Sequence, residues 1–168
     1  MNRRFLFDAS SIIVLAETGY LALFCDLLPS FTTTSIIITE VTQKLTPIKK
    51  IVEELTTKEK IFVQLVDDSS SSSSNSLYYK LGLHEGEISL LLVSNQETDI
   101  IVIDDLIARS VAQAEGLLYT GLLGLVISLK KTGKLSQEKA LDILQAITKT
   151  NFRMSVTLYN AIREELEK

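Results

Sequence analysis

Three aspartates stand directly after short apolar runs: Asp8 after Phe5-Leu6-Phe7, and Asp104-Asp105 after Ile100-Ile101-Val102-Ile103. A continuous β-branched run is the pattern of a strand buried on both faces, so these acids fall where such strands would end. In an open α/β sheet, ligands bind beyond the carboxyl ends of the strands. Aspartates meeting there repel one another unless a cation lies between them. Their hard oxygen donors suit Mg²⁺ or Mn²⁺. A structural zinc site has no ligands to draw on, because His84 and Cys25 are the only residues of their kinds.

A plainer role competes for each acid. Asp after a strand can cap the next helix by accepting its first-turn N–H groups. One cap suffices, so the adjacent pair Asp104-Asp105 asks for something positive nearby, and Arg109, one helical turn beyond Asp105, is the natural partner. His84, with no second His or Cys to support it, reads as a surface turn residue. Lys130, Lys131 and Lys134 collect at a helix end, where the dipole favours cations whether or not they touch phosphate.

The elements that would position the acids follow from periodicity. Strands are expected at residues 5–7, 31–34, 60–66, 100–103 and 117–120. Helical spacing begins at Ile12 and again at Leu21, where Pro29-Ser30 ends it. From Ser35 as N-cap a helix runs to Leu45, although its β-branched start also allows a strand through Ile38. Further helices are expected from Pro47 to Thr56, over 86–93, from Leu106 to a stop at Gly116, and over 122–131, 137–148 and 154–166. Residues 67–76, built around a run of serines, are expected to be a polar loop. Strands alternating with helices imply a mainly parallel sheet of four to five strands covered on both faces.

The 168 residues suit a single domain, and 46% hydrophobic with 23% charged residues is an ordinary globular balance. A net charge of −4 argues against binding nucleic acid by bulk electrostatics, so a polyanion would need local cations or metal ions. Asp8 interrupts the N-terminal apolar run too early for a signal peptide, and no later run approaches the roughly 20 residues of a membrane span. Cys25 reads as a buried, inert thiol, and a cytoplasmic location without membrane contact is expected.

Taken together, Asp8-Ala9-Ser10 after its strand, Thr39-Glu40-Val41, Gly86-Glu87 opening a helix, and Ile101-Val102-Ile103-Asp104-Asp105 resemble the PIN-domain family. Ala108-Arg109, the stretch Thr120-Gly121-Leu122-Leu123-Gly124 and Lys130-Lys131-Thr132-Gly133 extend the likeness almost end to end. They are similar to an archaeal and bacterial subgroup of VapC-like metal-dependent ribonucleases.

The resemblance implies a three-layer α/β/α sandwich and an Mg²⁺- or Mn²⁺-dependent endoribonuclease, often the toxin of a toxin–antitoxin pair. RNA substrate, an antitoxin protein and a homodimer are the partners it implies. By the same resemblance Asp8, Glu40, Glu87 and Asp105 are the catalytic acids, with Asp8, Glu40, Asp104 and Asp105 on the metal and Ser10 and Arg109 in support. The chain departs from the subgroup at Ser89, where a further acid is expected. Positions 87 and 89 lie about 200° apart around a helix, so Glu87 does not take that place. The alternative is a weak or inactive PIN-like module that binds RNA or a protein partner. A phosphoacceptor using a strand-end aspartate is a third reading, for which the chain supplies no partner signature.

Overall fold

Leu6 and Phe7 have no exposed surface, and neither do Ile101 and Val102. These residues form the two central strands, β1 (Arg4–Phe7) and β4 (Asp99–Val102), which pair in parallel with Phe7 opposite Val102. In this computed structural model, which describes residues 3–44, 46–66 and 73–168, three more strands complete the sheet. They are β2 (Phe31–Thr34), β3 (Phe62–Gln64) and β5 (Tyr119–Thr120), and the order is β3-β2-β1-β4-β5 with every pairing parallel. Phe7 and Phe31 stack across β1 and β2 with ring centroids 3.8 Å apart, which fixes that pairing from within the core.

The chain first steps outward from β1 to β2 and β3, then returns to lay β4 and β5 on the other side of β1. That reversal opens a crevice at the carboxyl ends of β1 and β4, the place where open parallel sheets bind ligands.

Helices α1 (Ala9–Glu17) and α2 (Leu21–Leu27) lead from β1 to β2, and α3 (Ser35–Lys44) and α4 (Thr46–Thr57) lead on to β3. Next come α5 (Ser73–Lys80) and α6 (Glu85–Val93), then α7 (Leu106–Ala114) between β4 and β5. The chain finishes with α8 (Leu122–Lys131), α9 (Gln137–Ile147) and α10 (Val156–Glu167), which pack on one another. The sheet and its flanking helices form the expected three-layer α/β/α arrangement. Among the described residues no single helix is long and apolar enough to cross a membrane.

Four local expectations need correction. Helix α3 includes Ser35, and its cap is Thr34, whose Oγ1 accepts from the Ile37 amide at 3.3 Å. Strand β3 is three residues rather than seven, and at its start Lys60 and Ile61 both donate their amides to Leu55 O and so close the turn that follows α4. Strand β5 keeps only its last two residues, since the Leu117 amide still closes the turn after α7. Of the expected loop at 67–76, residues 67–72 lie outside the described residues, while 73–76 open α5. That helix is anchored by Tyr78, which is buried and donates its hydroxyl to Glu115 Oε1 at 2.9 Å. Away from the crevice, at the amino ends of the strands, Arg4 grips the buried Asp99 with two hydrogen bonds, Nε to Oδ1 at 3.0 Å and Nη2 to Oδ2 at 2.6 Å.

Candidate active site

Asp8 leaves β1 with its amide donating to Val102 O of β4 at 3.2 Å, so its backbone is tied to both central strands. It caps α1: Oδ1 accepts from the Ser11 amide at 2.8 Å and Oδ2 from the Ser10 hydroxyl at 2.7 Å. The plain capping role is therefore real, and it also orients a carboxylate that is only 6% exposed. Burial pushes the Asp8 carboxyl above the ordinary value, the Ser11 and Ser10 hydrogen bonds pull it back, and the negative charge of Asp104 raises it further.

Asp104 and Asp105 have separate tasks. Asp105 caps α7 through Oδ1, which accepts from the Ala108 amide at 2.8 Å, and it is exposed. Asp104 turns toward α8 instead. Its Oδ2 accepts from the Leu122 amide at 3.1 Å, and its Oδ1 receives Arg109 Nη2 at 2.5 Å. Arg109 is braced in turn by donating Nε to Ile103 O at 2.7 Å, so the expected pairing is with Asp104, not Asp105. Burial raises the Asp104 carboxyl, and the Leu122 amide and Arg109 offset this only in part.

Glu87, on the first turn of α6, accepts from the His84 amide at 2.8 Å, which makes His84 a helix cap as well as a surface residue. The carboxyl of Glu87 is raised by burial, lowered by that amide, and raised again by the charges of Asp105 and Asp8. Those repulsions place Glu87 within electrostatic reach of both strand ends. Glu40 approaches the same turn from α3: a side-chain carbon on Gly86 would lie 3.2 Å from Glu40 Oε2.

Ser89 sits on the other side of α6, 1% exposed, with its hydroxyl 2.7 Å from that of Thr34 and donating to Gly86 O at 2.6 Å. It points into the core at the end of β2 and lies on a different face from Glu87.

Sequence reasoning overlooked a group of hydroxyls beneath these acids. Thr33 donates Oγ1 to Phe7 O at 2.9 Å, tying β2 to the last residue of β1. Ser11 is wholly buried beside Asp8, and its hydroxyl lies near enough to lower that carboxyl without meeting any acceptor among the described residues in full hydrogen-bond geometry. The signal was three consecutive threonines in a strand, all of them buried. Buried hydroxyls need partners, so such a strand end faces something polar.

The donors fit a hard divalent cation by chemistry: carboxylate oxygens, those of Asp8 buried and those of Glu40, Glu87 and Asp104 half-buried, with Asp8 and Glu87 raised by the charges of their neighbours. By placement they are spread out, and among the described residues no three Asp, Glu, His or Cys side chains are gathered as a cage. Mg²⁺ commonly keeps several waters and binds through one or two carboxylates, so an open set of this kind suits it. Hollows between Glu17 and Lys149, between Gln96 and Glu115, and beside Arg4 and Phe62 are lined by none of these acids.

Neither the curated proteins nor the solved structures hold a significant match to the chain. The DUF3368 family model, a PIN domain, matches residues 4–168. That span takes in all five strands, the crevice at the β1–β4 reversal and each acid described above, so the chain belongs to the PIN-domain family.

Proposed function

We propose that this PIN domain is a metal-dependent endoribonuclease, cleaving RNA phosphodiester bonds at the crevice between β1 and β4. The observation that carries the reading is Asp8 and Asp104 side by side at the strand reversal, both with carboxyls raised by burial and Asp8 further raised by the charge of Asp104. A fold that only needed helix caps could use Ser or Asn there without this repulsion.

A bound Mg²⁺ or Mn²⁺ would supply charge neutralisation at the scissile phosphate and a lowered pKa for a bound water. Asp8, Asp104 and Asp105 would hold it from the strand ends, with Glu40 and Glu87 facing it from α3 and α6. Ser10 keeps one Asp8 oxygen fixed, and Arg109 does the same for Asp104. Such preorganised ligands act as holders and orienters, and the reading does not require a separate proton-transferring side chain. Ser89 is buried against Thr34, so on this reading Glu87 is the acid that α6 would bring to the metal.

The test is cleavage of single-stranded RNA by the purified chain with Mn²⁺, with Mg²⁺ and with EDTA, beside the Asp8→Asn variant. Expected is a metal-dependent cut, lost with EDTA and reduced at least about a hundredfold by the substitution. Cleavage that survives both treatments would overturn the proposal. Single-stranded DNA run in parallel tests whether the substrate is RNA.

A further inference from the structure

Gly121 is the N-cap of α8, with φ −91° and ψ 168°. That is ordinary extended backbone, open to any residue, so conformational freedom does not explain a glycine here. Its surroundings do. A side-chain carbon on Gly121 would lie 2.1 Å from Arg109 Nη2, 3.2 Å from Arg109 Cζ and 2.4 Å from Asp104 Oδ1. The first and last of these are far inside any allowed contact.

We infer that Gly121 is a positioning residue of the candidate site, the bare backbone across which the Asp104–Arg109 pair lies while Asp104 reaches the start of α8. Both threatened atoms are ends of side chains, so an added methyl displaces the ion pair before it displaces the backbone. Asp104 would then lose the Arg109 contact, and its hold on the Leu122 amide would be lost with it. The carboxylate that stands against Asp8 at the strand reversal would no longer have a fixed direction. Gly86 plays a milder version of the same part beside Glu40, where the added carbon would meet Ile37 Cγ1 at 3.1 Å and Glu40 Oε2 at 3.2 Å.

The geometry of the pair stands by itself, whereas its consequence for a metal rests on the nuclease reading, and the experiment separates the two. In metal-free protein, the signal of the Arg109 Nη2 protons that face Asp104 is followed by ¹⁵N NMR in wild type and in Gly121→Ala. Its exchange with water is expected to be slow in wild type and to speed up in the variant. Mn²⁺ binding is then titrated by water-proton relaxation in wild type, Gly121→Ala, Asp104→Asn and the double variant. Gly121→Ala is expected to weaken Mn²⁺ binding roughly tenfold, as loss of a partner to a ligand commonly does. Added to Asp104→Asn it should weaken binding no further, because it acts through that carboxylate. An unchanged Arg109 signal in Gly121→Ala, or a full extra loss in the double variant, would overturn the inference. Should Gly121→Ala not fold, Gly121→Ala with Arg109→Ala is compared with Arg109→Ala alone. Recovery of folding supports the inference, and continued failure assigns the glycine to the backbone and overturns it. Wild type that shows the slow Arg109 signal but binds no Mn²⁺ defeats the nuclease reading while the positioning role is still decided by the NMR comparison.

Discussion

The hydroxyls of Ser89 and Thr34 meet at 2.7 Å inside the core, where the end of β2 packs on α6. Thr34 also caps α3, and Ser89 also bonds Gly86 O, so the contact joins two helices that carry Glu40 and Glu87. Restoring an acid at this position therefore does not restore a metal ligand. Ser89→Asp is expected to destabilise the fold by about 3–5 kcal/mol, the range for an unpaired buried charge, without tightening Mn²⁺ binding. Ser89→Ala is expected to cost about 1–2 kcal/mol by leaving Thr34 short of a partner. Urea denaturation of both variants measures this, and an Asp variant that is stable and binds Mn²⁺ more tightly would show that position 89 faces the site.

Asp8 serves as a cap and as a candidate ligand, and substitution can separate the roles. Asn caps a helix about as well as Asp, and its neutral amide removes the repulsion from Asp104. Metal-free Asp8→Asn should thus melt no lower than wild type while losing cleavage. Asp8→Ala should lose cleavage and also about 1 kcal/mol of stability, the usual value of a cap. Thermal melts in EDTA beside an RNA-cleavage assay distinguish the two variants.

How far the residues could be read before folding differs from acid to acid. Asp8 and the Asp104-Asp105 pair were visible because they follow apolar runs that only a buried strand explains. Glu40 sits inside a helix with nothing local to mark it, and family resemblance alone pointed to it. Helical spacing separated Glu87 from Ser89 correctly, but which of the two faced the crevice depended on where α6 packs. The role of Gly121 was invisible, since it depends on Arg109 and Asp104 converging from twelve and seventeen positions earlier in the chain. Helix α5 was hidden by its serines, because the anchor that orders it, Tyr78 on Glu115, joins residues far apart in sequence.

The raised carboxyls of Asp8, Glu87 and Asp104 set the sign of the pH response. Their folded values lie above the unfolded ones, so the native state holds more protons in that interval and metal-free stability falls as pH rises through it. The contribution is complete below the unfolded values of about 4. Mn²⁺ competes with those same protons, so its affinity should climb over the interval in which stability falls. Calorimetric titration of Mn²⁺ in two buffers of different ionisation enthalpy should detect proton release on binding at the acidic end. Affinity that is flat from pH 5 to pH 8, with no proton release, would place the metal away from these carboxyls.

Asp99 has the opposite sign. Burial works against its charge, but the Arg4 guanidinium, the Asn95 amide and the Thr98 hydroxyl outweigh burial and hold its carboxyl below the ordinary value. A depressed folded value gives stability that is present above the unfolded value of about 3.9 and is lost as pH falls through the folded one. Asp99→Asn should therefore flatten the acid limb of the stability curve and, at neutral pH, cost on the order of 2 kcal/mol, since Arg4 retains some solvent when its partner is neutralised. The Arg4–Asp99 pair lies at the amino ends of the strands, away from the crevice, so the variant should leave Mn²⁺ affinity unchanged. Urea titrations from pH 3 to pH 7 check the first expectation and relaxation titration the second. A variant with an unaltered acid limb would mean that other carboxylates held below their ordinary value, rather than this clamp, govern acid unfolding.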